Sequence, residues 1–358
     1  MGQQAMFKAQ ILLRLLKLRR ELRRRERWDR ERLESYQSRT LDRLRAFVYP
    51  RSPFYREFHK GRYQASLQEL PILTKSMMME NFDDLVTDRS IRLKEIGDHL
   101  ARIPEKERHR GRYWASFTSG SAGSPGVYLF NDKEWAVVLA SAIRSYEWAG
   151  VRVRPLRRAR AAAIVSSNPS EMSSQVTATF HFWWFPTLRL FPDDALPGNV
   201  ERLNAWQPEI LQGFSEAIEL LAEEQLAGRL RISPRIIATG GEVLPTSQRE
   251  NIEAAWKVRP FDRYACTETG VVASECAEHR GLHLYEDLSI VEVVDQQNRP
   301  TLSGDLGSRV LVTALTRYTQ PLIRYELSDM VRVSADSCPC GRPFRLIEEL
   351  QGRIEPTR

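Results

Sequence analysis

Apolar residues recur at helical spacing from the start of the chain. Ile11, Leu15, Leu18 and Leu22 share one face, and no Gly or Pro interrupts the Arg- and Glu-rich run that continues to Leu33. The pattern predicts one long or once-broken basic amphipathic helix over residues 6–46. From Tyr49 the texture turns aromatic and turn-rich (YPRSPFYREF), and LPILTK sets Pro71 in an extended connector ahead of a helix over 75–82. Strands are expected at Trp114–Phe117, Ala161–Val165 and Arg235–Ala238, and helices at Lys133–Trp148, Val200–Trp206, Ser215–Leu226 and Ser247–Trp256. This βα alternation predicts an α/β fold with a mainly parallel sheet flanked by helices. After residue 281 the pattern changes to short strands at Leu288–Val294, Arg309–Thr313 and Met330–Val333, which suggests a smaller β-rich subdomain. No internal repeat is visible.

Composition bounds the picture without changing it. The 358 residues are 42% hydrophobic and 28% charged, enough for about two domains or one large α/β domain. With 19 Gly and 19 Pro the chain is neither collagen-like nor of low complexity. Four cysteines exclude a disulfide scaffold and suit a reducing compartment. No run approaches the ~18 apolar residues of a membrane span. Arg14 and Lys17 interrupt the most apolar N-terminal stretch, so a cytoplasmic protein is expected.

Charge does change the picture. The net charge is +7, yet residues 1–45 hold 14 Lys and Arg against 6 Asp and Glu, leaving the body nearly neutral. The first reading of that segment is a helix docking its leucine stripe on its own domain. The second is contact with a membrane surface or an acidic partner. A lone Trp28 offers no aromatic interleaving, so nucleic acid is not expected.

Three segments carry chemistry. Thr118 to Gly126 (TSGSAGSPG) follows a predicted strand and packs three glycines with four hydroxyl side chains, a composition that lets backbone N–H groups approach phosphate oxygens. It matches neither a Walker A loop nor a Rossmann fingerprint. In Arg263 to Gly270 (RYACTETG) a Tyr can stack on a purine, a Thr can bond a phosphate and a Glu can hold Mg²⁺. In Pro321 to Asp329 (PLIRYELSD) one Asp at a turn can accept both hydroxyls of a ribose. Each alone also fits an ordinary loop or capped turn.

In this order and spacing, the segments resemble the adenylate-forming superfamily of acyl- and aryl-CoA ligases, in particular its phenylacetate–CoA ligase-like branch with the CapK-type proteins. The hydroxyl/Gly loop is similar to the family's S-G-T-T-G-x-P loop, TGGEVLP (Thr239 to Pro245) to the adenine-pocket segment, YACTETG to Y-G-x-T-E and LIRYELSD to R-Y-x-x-G-D. SPFYRE, LPILTK and NFDDLVTD also look like the branch's N-terminal stretch, so the resemblance runs from about residue 45 to Arg353. After the basic helical segment (1–46), it implies one large domain: an α/β core (47–280), a β-rich subdomain (281–352) and a hinge stub (353–358).

The resemblance also implies roles. Ser119, Gly120, Ser121 and Gly123 would hold the ATP phosphates. Gly241 and Glu242 would border the adenine with Tyr264 beside it, and Arg353 of the hinge Gly-Arg would complete the nucleotide site. Thr267 would contact the α-phosphate, Glu268 the Mg²⁺ and Asp329 the ribose. The implied reaction is attack of a substrate carboxylate on the α-phosphorus of ATP, giving an acyl-AMP and pyrophosphate, with CoA or a carrier-bound group as acceptor. There are departures. The family's loop Lys is Ser124 here, and Ala265 and Ser328 replace glycines. The hinge is usually followed by a mobile domain that supplies a catalytic Lys, whereas this sequence stops at Arg358.

Cys276 and His283 (ECAEHRGLH) with Cys338 and Cys340 (CPCGR) make a Cys₃His set, the ligand count and softness of a structural Zn²⁺ site, with His279 an alternative nitrogen ligand. The alternative is two unrelated pairs of reduced thiols. Cys266 has no basic neighbour in sequence and reads as a small buried residue, not a nucleophile. For the acyl group, TFHFWWFP and LQGFSEA are the aromatic-rich candidates, with His181, Trp184, Phe214, Ser215 and Gly240 as substrate contacts. The expected function is ATP-dependent activation of an aromatic or related carboxylic acid for thioesterification to CoA. Two rivals remain at this point: amide or ester ligation without CoA, and a non-catalytic nucleotide-binding scaffold.

Overall fold

The computed structural model describes residues 2–102, 108–118, 125–151, 159–180 and 186–353, with side chains from residue 10 onward and omitting those of Phe180 and Arg353. The basic segment is a once-broken helix, Gly2–Arg25 followed by Arg30–Val48. The break falls where Asp29 adopts an extended conformation and its side chain accepts the Arg32 N–H at 2.7 Å, capping the second helix. Ile11, Leu15 and Leu22 are buried, and the first helix packs on the helix Asp132–Trp148. Arg19 and Arg23 both pair with Glu147 on that helix. Leu33, Leu41, Leu44 and Val48 carry the second helix into the main core.

Among the described residues, parallel ladders between strands join four of them, in the spatial order Thr187–Leu190, Ala161–Ile164, Ile210–Gly213 and Ile236–Thr239. Ile164, Leu190, Leu211 and Ile237 pack there with Leu203, Ile218, Leu221 and Ile252 from the helices Leu196–Trp206, Ser215–Leu226 and Thr246–Trp256. The strand Tyr113–Phe117 departs from the expected alternation. It pairs antiparallel with Val127–Asn131 as a two-stranded hairpin. The nine residues between the two strands are too few for the helical crossover that parallel pairing needs.

The remaining sheets are antiparallel. One has five strands in the order Asp329–Val333, Leu346–Arg353, Leu282–Leu284, Gly270–Ser274 and Arg263–Cys266. The other has three, Ser289–Val294, Arg309–Ala314 and Tyr325–Leu327. Two bridges tie the layers together: Leu73 of the LPILTK connector pairs with Tyr325, and Ala238 of the parallel sheet pairs with Phe261.

An acidic pair, Glu286 and Asp287, joins the N-terminal helices to this body. The Arg144 guanidinium donates from Nη1 and Nη2 to the two Asp287 carboxylate oxygens at 2.7 Å each, with both residues buried. Glu286 accepts from Arg30 at 2.7 Å and Arg345 at 2.8 Å, and its carbonyl accepts from Gln37 at 2.7 Å. Removing one partner of a buried bidentate pair leaves the other charge uncompensated. Asp287→Asn is therefore expected to lower stability by about 3 kcal/mol in urea unfolding; a loss below about 1 kcal/mol would show that the pair does not anchor the helices.

Candidate functional site

The hydroxyl/Gly segment connects the two strands of the Tyr113–Asn131 hairpin in sequence. Thr118 and Gly126 close its base: the Thr118 N–H donates to the Gly126 carbonyl at 3.0 Å, and the Gly126 N–H donates to Thr118 Oγ1 at 2.9 Å. Lys75, from LPILTK, donates from Nζ to Thr118 Oγ1 at 3.1 Å, so a cation stands at the loop's root. A Cβ on Gly126 would fall 2.7 Å from Tyr128 Oη and 2.9 Å from Lys75 Cε, which leaves glycine as the residue that fits. Ser119, Gly120, Ser121 and Gly123 lie outside the described residues, as do His181 and Trp184.

Behind this root lies Glu268, 5% exposed. Its Oε1 accepts the Tyr128 hydroxyl at 2.9 Å and the Tyr325 hydroxyl at 3.3 Å. Those two hydroxyls are 2.8 Å apart. Burial, and then the neighbouring carboxylate, raise both phenols far above their ordinary range, so they remain donors. Arg317 is buried beneath the site. It donates to the Glu268 carbonyl and, at 2.8 Å, to the Leu129 carbonyl, and its guanidinium lies 3.9 Å from the Phe130 ring centre. Glu268 Oε2 is buried with no hydrogen-bond partner among the described residues. An orphaned carboxylate oxygen is costly unless a cation or donor meets it.

Tyr264 and Asp329 come together as expected of one site: the Tyr264 hydroxyl donates to Asp329 Oδ2 at 2.6 Å. Burial first, and then Asp329, raise the Tyr264 phenol well above its ordinary value. The sheet register sets Asp329 opposite Arg353, bringing the turn Asp and the Gly-Arg segment together. The Arg353 side chain lies outside the described residues. Cys266 is partly exposed at the cavity wall; desolvation and then Glu268 push its thiol up, away from the thiolate a nucleophile needs, and it contacts Thr269 Oγ1 at 3.2 Å.

A cavity of about 300 Å³ opens beside Thr267. Phe214, Gly240 and Gly241, expected at the substrate and nucleotide, line it with Thr267. Gly241 has φ +91°, and a Cβ there would lie 2.9 Å from Phe214 Cδ1, so backbone and ring meet at the cavity edge. Val138, Ala142 and Tyr146 from the helix Asp132–Trp148, together with Gln212 and Arg263, complete walls that sequence reasoning missed. Arg263 is fixed by Nε to the Thr239 carbonyl at 3.2 Å and by Nη1 to the Tyr146 hydroxyl at 3.3 Å. Its position before the Tyr-x-x-Thr-Glu run was the available signal. Phe214 also borders a second cavity of about 240 Å³, and Glu242 lines that one.

Two expected contacts are placed differently. Ser215 lines neither cavity: it opens the helix Ser215–Leu226, is buried, and donates to Glu242 Oε2 at 3.2 Å. That bond makes it a support for Glu242, not a wall of the cavity. Tyr264 lines neither cavity either, since its ring is in the core.

The four Cys and His ligand candidates do converge. The ligand atoms of Cys276, His283, Cys338 and Cys340 lie within 4.8 Å of one another. The Cys276 and Cys338 sulfurs are 3.8 Å apart, and His283 Nε2 is 3.4 Å from the sulfurs of Cys276 and Cys340. Two sulfurs bound at 2.3 Å to a tetrahedral ion would be separated by about 3.8 Å. Burial, and then Arg342, lower the His283 pKa to about 4, so its imidazole is neutral as a ligand must be. His279 is not in the cluster, because its Nδ1 pairs with Glu275 at 3.0 Å.

No known protein-family profile matches the chain. A phenylacetate–coenzyme A ligase of Thermus thermophilus is 25% identical over 343 residues, covering 91% of this chain and 71% of its own length. Protein CapK of Staphylococcus aureus is 20% identical over 318 residues, covering 83% of this chain and 62% of its own, less than two thirds. Among solved structures, an open conformation of 2-hydroxyisobutyryl-CoA ligase in complex with 2-HIB-AMP and CoA superposes with a TM-score of 0.75. It is 19% identical and covers 92% of this chain and 72% of that one, a likeness of fold. Motif order, site geometry and these likenesses agree: the chain resembles the phenylacetate–CoA ligases in sequence and shares the fold of the solved 2-hydroxyisobutyryl-CoA ligase.

Proposed function

We propose that this protein uses ATP to activate an aromatic or related carboxylic acid as its acyl-adenylate, for transfer to CoA. The observation that carries the reading is the buried, half-satisfied Glu268 carboxylate, next in sequence to Thr267, which lines a cavity with Phe214, Gly240 and Gly241. The cavity would take the acyl group. Val138, Ile164, Val176, Phe214 and Val271 offer apolar contact, while Arg263, Gln212 and Tyr146 give one wall hydrogen-bonding character. Glu242 and Gly241 would border the adenine and Asp329 the ribose. Glu268 fits a Mg²⁺ ligand, and the ion would neutralise phosphate charge as pyrophosphate departs.

The remaining work falls to positioning. Thr267, at the cavity edge, would hold the α-phosphate while the substrate carboxylate attacks phosphorus and the bond to pyrophosphate breaks. Lys75 supplies a cation at the root of the phosphate loop, where this sequence has Ser124 in place of the family's Lys. No side chain need act as a nucleophile, which agrees with the upward-shifted thiol of Cys266. We further propose that Cys276, His283, Cys338 and Cys340 hold a structural zinc ion. It would fasten the Cys338–Cys340 turn to the strands Gly270–Ser274 and Leu282–Leu284, which lead into the Glu268 segment.

Acid-dependent exchange of labelled pyrophosphate into ATP tests the ligase reading. Exchange is expected with at least one acid in a panel of aryl and short-chain carboxylic acids, and Thr267→Val should lower it by about tenfold or more. Nucleotide binding with no exchange for any acid would favour a scaffold and overturn the reading. For the metal, we expect about one zinc per chain by elemental analysis, lost in Cys338→Ser and released on acidification as protons compete for the thiolates. Zinc content unchanged by Cys338→Ser would remove the site.

A further inference from the structure

The first helix has two apolar faces, and only one is used. Ile11, Leu15 and Leu22 are buried against the body, while Leu12, Leu13 and Leu16 are 38%, 68% and 43% exposed. At about 100° per residue, Leu12, Leu13 and Leu16 share an outward arc of about 140° with Lys17, Arg20, Arg23 and Arg24, opposite the docked stripe. All four cations are exposed. Arg23 reaches Glu147, whereas Lys17, Arg20 and Arg24 make no ion pair among the described residues. The acid in this stretch, Glu21, sits at the edge of the arc and lies 3.7 Å from Arg25.

The second helix is the contrast. Its exposed residues mix Arg32, Arg39 and Arg43 with Glu31, Glu34 and Asp42, the alternation of a solvated face. Separation of charge is therefore particular to the first helix, where leucines precede cations over about 18 Å of its length. The remaining large exposed apolar side chains among the described residues, such as Leu220, Leu226 and Leu302, are not on this helix.

We propose that the outward face of the helix Gly2–Arg25 docks on an anionic lipid surface. Leu12, Leu13 and Leu16 enter the boundary between headgroups and acyl chains, and Lys17, Arg20 and Arg24 lie among anionic headgroups. Charge complementarity selects the occupant: three leucines alone hold weakly, and three unpaired cations beside them supply the second attraction that stable interfacial binding requires. No described helix is long and apolar enough to cross a membrane, so the helix would lie in the interface. The inner stripe and the Arg19 and Arg23 bonds to Glu147 keep it on the body, so docking would orient the whole molecule without unfolding the helix.

Co-sedimentation of the full chain with phosphatidylcholine vesicles, with and without phosphatidylserine, tests this directly. Binding is expected only with phosphatidylserine present and is expected to fall steeply with salt. The triple variant Lys17→Glu, Arg20→Glu, Arg24→Glu should weaken it by more than about tenfold. Leu12→Gln, Leu13→Gln, Leu16→Gln should weaken it as well, and both variants should keep the far-ultraviolet circular dichroism of the parent. Equal binding to neutral and anionic vesicles, or undiminished binding by the charge-reversed variant, overturns the proposal. So does a vesicle-blind protein that self-associates through the leucines.

Discussion

One buried carboxylate ties the site together. Glu268 sits where the hairpin, the five-stranded sheet and the three-stranded sheet meet, and each contributes a group: Tyr128 from the hairpin, the 263–270 backbone, and Tyr325. A charge in that position is tolerable only if its oxygens are satisfied. Two phenols, held as donors by burial, satisfy one oxygen, and Arg317 fixes the backbone from below. The other oxygen has no partner among the described residues, and under the proposed function it would meet a cation brought with nucleotide. Site and core are thus the same construction, since Tyr128, Tyr325 and Arg317, which orient Glu268, are themselves buried.

Around that centre, support comes in tiers. Asp329 is fixed by Tyr264 and by its register with Arg353. Glu242 is fixed by Ser215, and Phe214 stands between the two cavities because Gly241 leaves no Cβ to displace it. Farther out, Glu286 and Asp287 gather arginines from both N-terminal helices and from Asp132–Trp148, together with Arg345 just before the last strand. The basic segment therefore belongs to the body electrostatically as well as through its leucine stripe, and the neutral charge of residues 46–358 conceals a strongly paired interior.

Much of this was legible in the sequence where the signal is local. The helix read at Lys133–Trp148 is found at Asp132–Trp148, because Asn131 and Glu134 form a capping box and the apolar period is sustained. The helix at Ser215–Leu226 is found as read. The Cys₃His cluster and the Tyr264–Asp329 meeting followed from residue type and motif order. What escaped was long-range. Tyr128 lies 140 residues from Glu268, and no spacing rule links them. Arg317 belongs to no motif the sequence analysis singled out, yet it is buried under the site. Three-residue strands such as Leu282–Leu284 are too short to show a period. The hairpin resembled half of a βα unit because loop length, not strand pattern, decides its pairing.

The central claim is that Glu268 is the handle through which a metal–nucleotide complex is held. Calorimetric titration of ATP into the protein, with and without Mg²⁺, measures it directly, using Glu268→Gln to keep the shape and remove the charge. The account predicts that Mg²⁺ tightens ATP binding by about tenfold or more in the parent, and that Glu268→Gln abolishes this dependence while retaining the parent's circular dichroism. A Glu268→Gln protein that still binds ATP more tightly with Mg²⁺, to the same extent as the parent, would contradict it.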